Sequence, residues 1–131
     1  IKQYLEDVKE DAREKGYVAT LTGRRRRLPE LRSGNPGARA AAERMAINMP
    51  IQGTAADIIK IAMIEIDAEM MRRDLKSLMS IQVHDELIFE VAPGELEEIT
   101  GLATEYLPKA MELSVPLTVE TKSGPNWGDM K

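Results

Sequence analysis

Cysteine is missing from all 131 residues, which excludes disulfides, thiolate nucleophiles and zinc–cysteine sites. Histidine occurs once, as His84, so any imidazole chemistry must run through that residue. No apolar run approaches the roughly 20 residues that a membrane-spanning helix needs, and no signal-peptide pattern heads the chain. A cytoplasmic protein without membrane contact is therefore the expectation. A P-loop and a dinucleotide fingerprint are both missing. There is also no G-x-S-x-G elbow, and Ser80 falls within a strand pattern, so a nucleophilic triad has no support.

What remains is a chain long enough for one domain with a real core, 43% hydrophobic and 31% charged. It opens on Ile1, and residues 1–16 read as the middle of a helix, so the chain is expected to be a piece of something longer. The net charge of −4 is unevenly spread, from +4 over residues 1–50 to −8 over residues 51–131. A basic front half suits a phosphate-rich partner. An acidic back half suits a cation site or a solvated surface.

Taken in order, Lys2 to Lys15 has helical spacing and Gly16 is placed to stop it. The β-prone run Tyr17–Thr22, then Gly23 and Arg24–Arg27, predicts a basic hairpin. Its four arginines fit a solvated strand, phosphate contacts, or ion pairs that orient a site. Residues 33–37 are loop by composition. A helix is expected from Ala38, kinked or ended at Pro50, with a second from Thr54 to about Arg73. Thr54 would cap that second helix, with Asp57 as its capping-box partner.

Arg44, Asn48 and Gln52 recur every four residues, which puts them on one helical face. They form either a solvated stripe or a row of hydrogen-bond donors. Farther on, a helix is expected after Pro93-Gly94 and a strand over residues 116–122. Trp127 is expected to pack the terminus down. The expected fold is α+β with a mostly antiparallel sheet and a central hairpin packed on helices.

That central hairpin is the most informative stretch. From Met79 to Val91 every odd position is apolar except Asp85. A straight strand would bury that carboxylate in the core row, which is strongly disfavoured. A three-residue loop at His84-Asp85-Glu86 avoids this by pairing Val83 with Leu87, Ile81 with Phe89 and Met79 with Val91. The tip then presents a carboxylate. It could hold a hard divalent cation such as magnesium, serve acid–base chemistry through His84, or be only a polar turn.

Three segments in register narrow these options. They are Thr20–Arg26, then Ala41-Ala42-Glu43-Arg44-Met45-Ala46-Ile47-Asn48-Met49-Pro50-Ile51-Gln52-Gly53-Thr54-Ala55-Ala56-Asp57, then Gln82-Val83-His84-Asp85-Glu86-Leu87. Together with Val115-Pro116-Leu117 and Asn126-Trp127, the chain resembles the C-terminal end of the family A DNA polymerases, those of the bacterial DNA polymerase I type. The resemblance implies an incomplete polymerase palm. Residues 1–36 would be the end of the fingers or connecting helix with the basic hairpin, and residues 37–131 the C-terminal part of the palm. Asp85 would be one of two aspartates holding paired Mg2+ ions, with Glu86 an auxiliary carboxylate and His84 beside the primer terminus. Arg44, Asn48 and Gln52 would touch the minor groove of the primer–template DNA, with a dNTP as the second substrate.

The family's other metal-binding aspartate, its nucleotide-gripping fingers helix and its thumb lie upstream of the matched segments. The 131 residues alone are therefore expected to be inactive, with apolar faces free to self-associate. A phage family A polymerase and an inactive nucleic-acid-binding module of the same fold are the alternatives. A carboxylate-metal nuclease would need clustered acids that the sequence does not place.

Overall fold

Helix α1 (Lys2–Lys15) stops where Gly16 takes a φ of +78°, a left-handed cap, and donates its N–H to the Ala12 carbonyl at 2.8 Å. The structure is a computed structural model that describes residues 2–131. It is α+β, with two separate two-stranded antiparallel sheets, and divides into two compact units whose boundary falls between Asp57 and Ile58. Among the described residues no helix is long and apolar enough to cross a membrane.

In the first unit, β1 (Tyr17–Ala19) pairs with β2 (Arg25–Arg27), so the basic hairpin forms as expected. Gly23, at φ +88°, turns the loop between them and donates to the Thr20 carbonyl at 2.9 Å. Val18, Leu28 and Leu31 bury against Ala12 of α1 and against Ala42, Ala46 and Met49 of the long helix α2 (Pro36–Arg72).

Helix α2 runs unbroken from Pro36 to Arg72, 37 residues in all, with Pro50 inside it. Asn35 caps its start by accepting from the Gly37 and Ala38 N–H groups at 2.9 and 3.3 Å, and Pro36 follows in the first position, where no N–H is needed. The expected break at Pro50 does not occur. A proline removes one helical hydrogen bond, and the alanine-rich, well-buried turns on its N-terminal side keep the helix going. Thr54 is therefore no cap. Its hydroxyl donates to the Pro50 carbonyl at 2.6 Å, one turn back within the same helix.

In the second unit, Ala62, Ile66 and Met70 of α2 pack on Ile99 and Leu102 of α3 (Leu96–Lys109). Full burial of side chains such as Ile66 and Leu102 is worth about 1.5–3 kcal/mol each. The hairpin β3 (Leu78–Val83) and β4 (Glu86–Glu90) lays Met79, Leu87 and Phe89 on this cluster.

The hairpin register differs from the expected one. Val83 pairs with Glu86, Gln82 with Leu87, Ile81 with Ile88 and Met79 with Phe89, with a bulge between Met79 and Ile81. The loop is two residues, His84-Asp85, rather than three. A shorter loop alone would move every side chain of β3 to the other face, and the bulge restores Met79 to the buried one. Ile81 stays on the opposite face, 44% exposed.

Beyond α3, the strand expected over residues 116–122 does not form. A strand exists only through its ladder, and these residues pair with neither described sheet. The tail instead closes on itself through paired backbone bonds between Ser123 and Lys131 at 3.2 and 3.4 Å. Trp127 opens a short 3-10 turn there and is 52% exposed, so it does not anchor the terminus as expected.

Candidate nucleic-acid interface and carboxylate turn

Arg44, Asn48 and Gln52 emerge as a row along one exposed face of α2, because the helix continues through Pro50. They line an open pocket of about 660 Å³ together with Arg24, Arg25 and Arg26 of the hairpin. The pocket thus combines amide donors with four guanidinium groups, a lining suited to acceptor-rich, anionic polymers. Two of these arginines are held from beneath. The Arg25 guanidinium carbon lies 4.7 Å from the centre of the Tyr17 ring, and Arg26 Nη2 is 3.3 Å from Met45 Sδ.

Arg24 is committed differently. Its Nε donates to Asp57 Oδ1 at 2.8 Å and its Nη2 donates to the Gly53 carbonyl at 3.0 Å. The Thr22 hydroxyl donates to the other oxygen of Asp57 at 2.6 Å. The Leu21 N–H reaches across to Thr54 Oγ1 at 3.1 Å. Burial pushes the Asp57 carboxyl up, but the hydroxyls of Thr20 and Thr22 and the Arg24 guanidinium outweigh it and hold the group at about 2.

Sequence reasoning missed this cluster, because Asp57 lies three residues after Thr54 and mimics a capping box. The available signal was Asp57 itself, an ionisable residue set into the otherwise apolar stripe of α2.

At the other candidate site, His84 and Asp85 form the two-residue tip between β3 and β4, and Glu86 is the first residue of β4. All three are exposed. His84 has a φ of +52°, a left-handed conformation unusual for a residue with a side chain, and its carbonyl accepts from Gln82 Nε2 at 2.7 Å. Among the described residues no group of three or more acidic or histidine side chains converges on a point that could hold a metal ion. The turn offers hard oxygen donors of the type magnesium prefers, but fewer than an octahedral ion requires.

The carboxylate turn lies in the second unit, and the donor row with the arginine hairpin lies in the first.

A family model described as DNA polymerase family A matches residues 1–129. Among curated relatives, the chain is 53% identical to DNA polymerase I of Mycobacterium leprae over 128 residues, 98% of this chain and 14% of that protein. It is 50% identical to DNA polymerase I of Bacillus subtilis over all 131 residues, 15% of that protein. The chain thus spans about one seventh of the length of these relatives. Among solved structures it resembles the POL domain of Pol1 from M. smegmatis in complex with DNA primer-template and dNTP. The TM-score is 0.87 at 52% identity, covering 89% of this chain and 21% of that one. With a family match from end to end and half of its residues shared with these relatives, the chain belongs to DNA polymerase family A.

Proposed function

We propose that this chain is a segment of a DNA-directed DNA polymerase that transfers nucleotides from dNTPs to a primer 3′-hydroxyl, and that it works in the cytoplasm. Residues 1–36 are the end of the fingers with the basic hairpin, and residues 37–131 are the C-terminal part of the palm. The observation that carries this reading is the exposed Arg44–Asn48–Gln52 row in an arginine-rich pocket, within a chain that matches DNA polymerase I relatives along its whole length.

Purine N3 and pyrimidine O2 are minor-groove acceptors in every correct pair. Donors aligned along that groove test pair geometry without reading sequence, which is what template-directed synthesis requires. Arg44, Asn48 and Gln52 take this role. His84 stands beside the primer terminus. Asp85 is a ligand of Mg2+ and Glu86 an auxiliary carboxylate, while the remaining ligands come from outside this chain. Two such ions, when bound, supply Lewis-acid activation of the 3′-hydroxyl and charge neutralisation at the leaving pyrophosphate. The turn carries half of that site, so the 131 residues by themselves have no polymerase activity.

The test is Asp85→Ala in the full-length polymerase. Primer extension should fall by about a thousandfold or more, while affinity for primer–template stays within a few-fold. Retained extension would remove Asp85 from the metal site. Primer extension by the 131-residue chain alone would overturn the half-site assignment. A wild-type enzyme that binds DNA but never extends a primer would instead favour an inactive binding module.

A further inference from the structure

The weakest stretch of α2 coincides with the end of the donor row. Pro50 has no N–H, so it leaves the Ala46 carbonyl without its usual helical donor. Gly53, three residues later, is a poor helix former, and Gln52 sits between the two. A side chain that reports base-pair shape must be held to a fraction of an ångström. Helix propensity cannot do that here.

The hairpin loop supplies the missing restraint from three directions. The Leu21 N–H donates to Thr54 Oγ1, and that hydroxyl in turn donates to the Pro50 carbonyl. Arg24 Nη2 donates to the carbonyl of Gly53, the residue that follows Gln52. Arg24 Nε and the Thr22 hydroxyl each take one oxygen of Asp57, so the buried carboxylate fixes the direction of the guanidinium fork. Contact is close because Gly53 has no Cβ; one built there would lie 2.6 Å from Thr20 Cγ2. Arg24 therefore ties two points of α2, one turn apart, to the loop.

We propose that Arg24 and Asp57 are positioning residues that clamp the Gly53–Asp57 turn of α2 and so hold the adjoining Gln52 in register with the primer–template. The proposal rests on the reading of Gln52 as a minor-groove donor. It sets Arg24 apart from Arg25 and Arg26, because its guanidinium serves the helix rather than a phosphate.

The experiment uses the full-length polymerase and compares Gln52→Ala, Arg24→Lys and the double variant. The readouts are the maximal single-turnover extension rate on matched and mismatched primer ends and the Kd for DNA. Lysine keeps the positive charge but cannot bond Asp57 and the Gly53 carbonyl with one planar fork. Arg24→Lys should slow matched extension about tenfold, the scale of one hydrogen bond lost in the transition state, with Kd unchanged. Placed on Gln52→Ala, it should add almost nothing.

Losses that multiply in the double variant would overturn the clamp, as would an Arg24→Lys enzyme of normal rate. A Gln52→Ala enzyme of normal rate and normal mismatch behaviour would instead overturn the minor-groove reading, whatever Arg24→Lys does. If Arg24→Lys fails to fold, the isosteric Asp57→Asn carries the same comparison with the same outcomes.

Discussion

Arg24 and Asp57, 33 positions apart in sequence, meet at 2.8 Å and join the arginine hairpin to the middle of α2. The pair is asymmetric in exposure. The Asp57 side chain is 9% exposed and the Arg24 side chain 48%, so the carboxylate is the fixed end and the guanidinium the adjustable one. Loss of the acid should therefore disturb the junction more than shortening of the base.

The acid limb of stability should reveal this carboxylate. Asp57 is held at about 2 against an ordinary 3.8. A folded value below the unfolded one means that the ionised carboxylate contributes stability above about pH 4 and loses it as pH falls toward 2. An unscreened shift of this size corresponds to about 2.5 kcal/mol, and solvent around the half-exposed Arg24 reduces that to about 1 kcal/mol. Urea unfolding of this chain at pH 6, 4 and 2.5 should give a stability that drops with acid. The gap between wild type and Asp57→Asn should close over the lower interval. A gap that stays constant would place the stabilisation elsewhere, for example at Glu69, which Arg72 and Arg73 also hold at about 2.

The elements that were legible from sequence are those with local causes. Gly16 ends α1, the run of arginines pairs back on Tyr17–Ala19, and the apolar spacing of Ile99, Leu102 and Ala103 marks the buried face of α3. What was not legible depends on distant partners. Proline normally ends a helix, yet Pro50 lies in a helix supported from outside by Leu21 through Thr54. Asp57 fits a capping box locally, and only the fold brings Thr22 and Arg24 to it. The hairpin illustrates both cases. Alternation placed the carboxylate at the tip, but it cannot distinguish a three-residue loop from a two-residue loop compensated by a bulge at Ser80.

Gly53→Ala separates helix propensity from close packing. In an isolated helix the change would stabilise by about 1 kcal/mol. Here the added methyl would lie 2.6 Å from Thr20 Cγ2, on a side chain whose hydroxyl is already tied to Thr22 and to the Arg24 N–H. The expected net effect is a loss of about 1–3 kcal/mol in thermal or urea unfolding. Thr20→Ser removes the obstructing methyl and keeps the hydroxyl, so the double variant should recover most of the loss. Independent, additive effects would mean that the loop does not press on the helix at this point.

His84 allows a test of whether the hairpin tip is kept for stability or for use. Its φ of +52° costs a residue with a Cβ about 1–2 kcal/mol relative to glycine, and the side chain is exposed, with no burial to offset that. His84→Gly should therefore raise the unfolding free energy, by up to about 1 kcal/mol once the extra freedom of glycine in the unfolded chain is deducted. His84→Val, branched at the strained position, should lower it. If the imidazole stands beside the primer terminus, the stabilised glycine variant of the full-length polymerase should nonetheless extend primers more slowly. Stability and activity would then move in opposite directions, as expected where a strained residue is retained for function. A glycine variant that is both more stable and fully active would assign His84 to the turn alone.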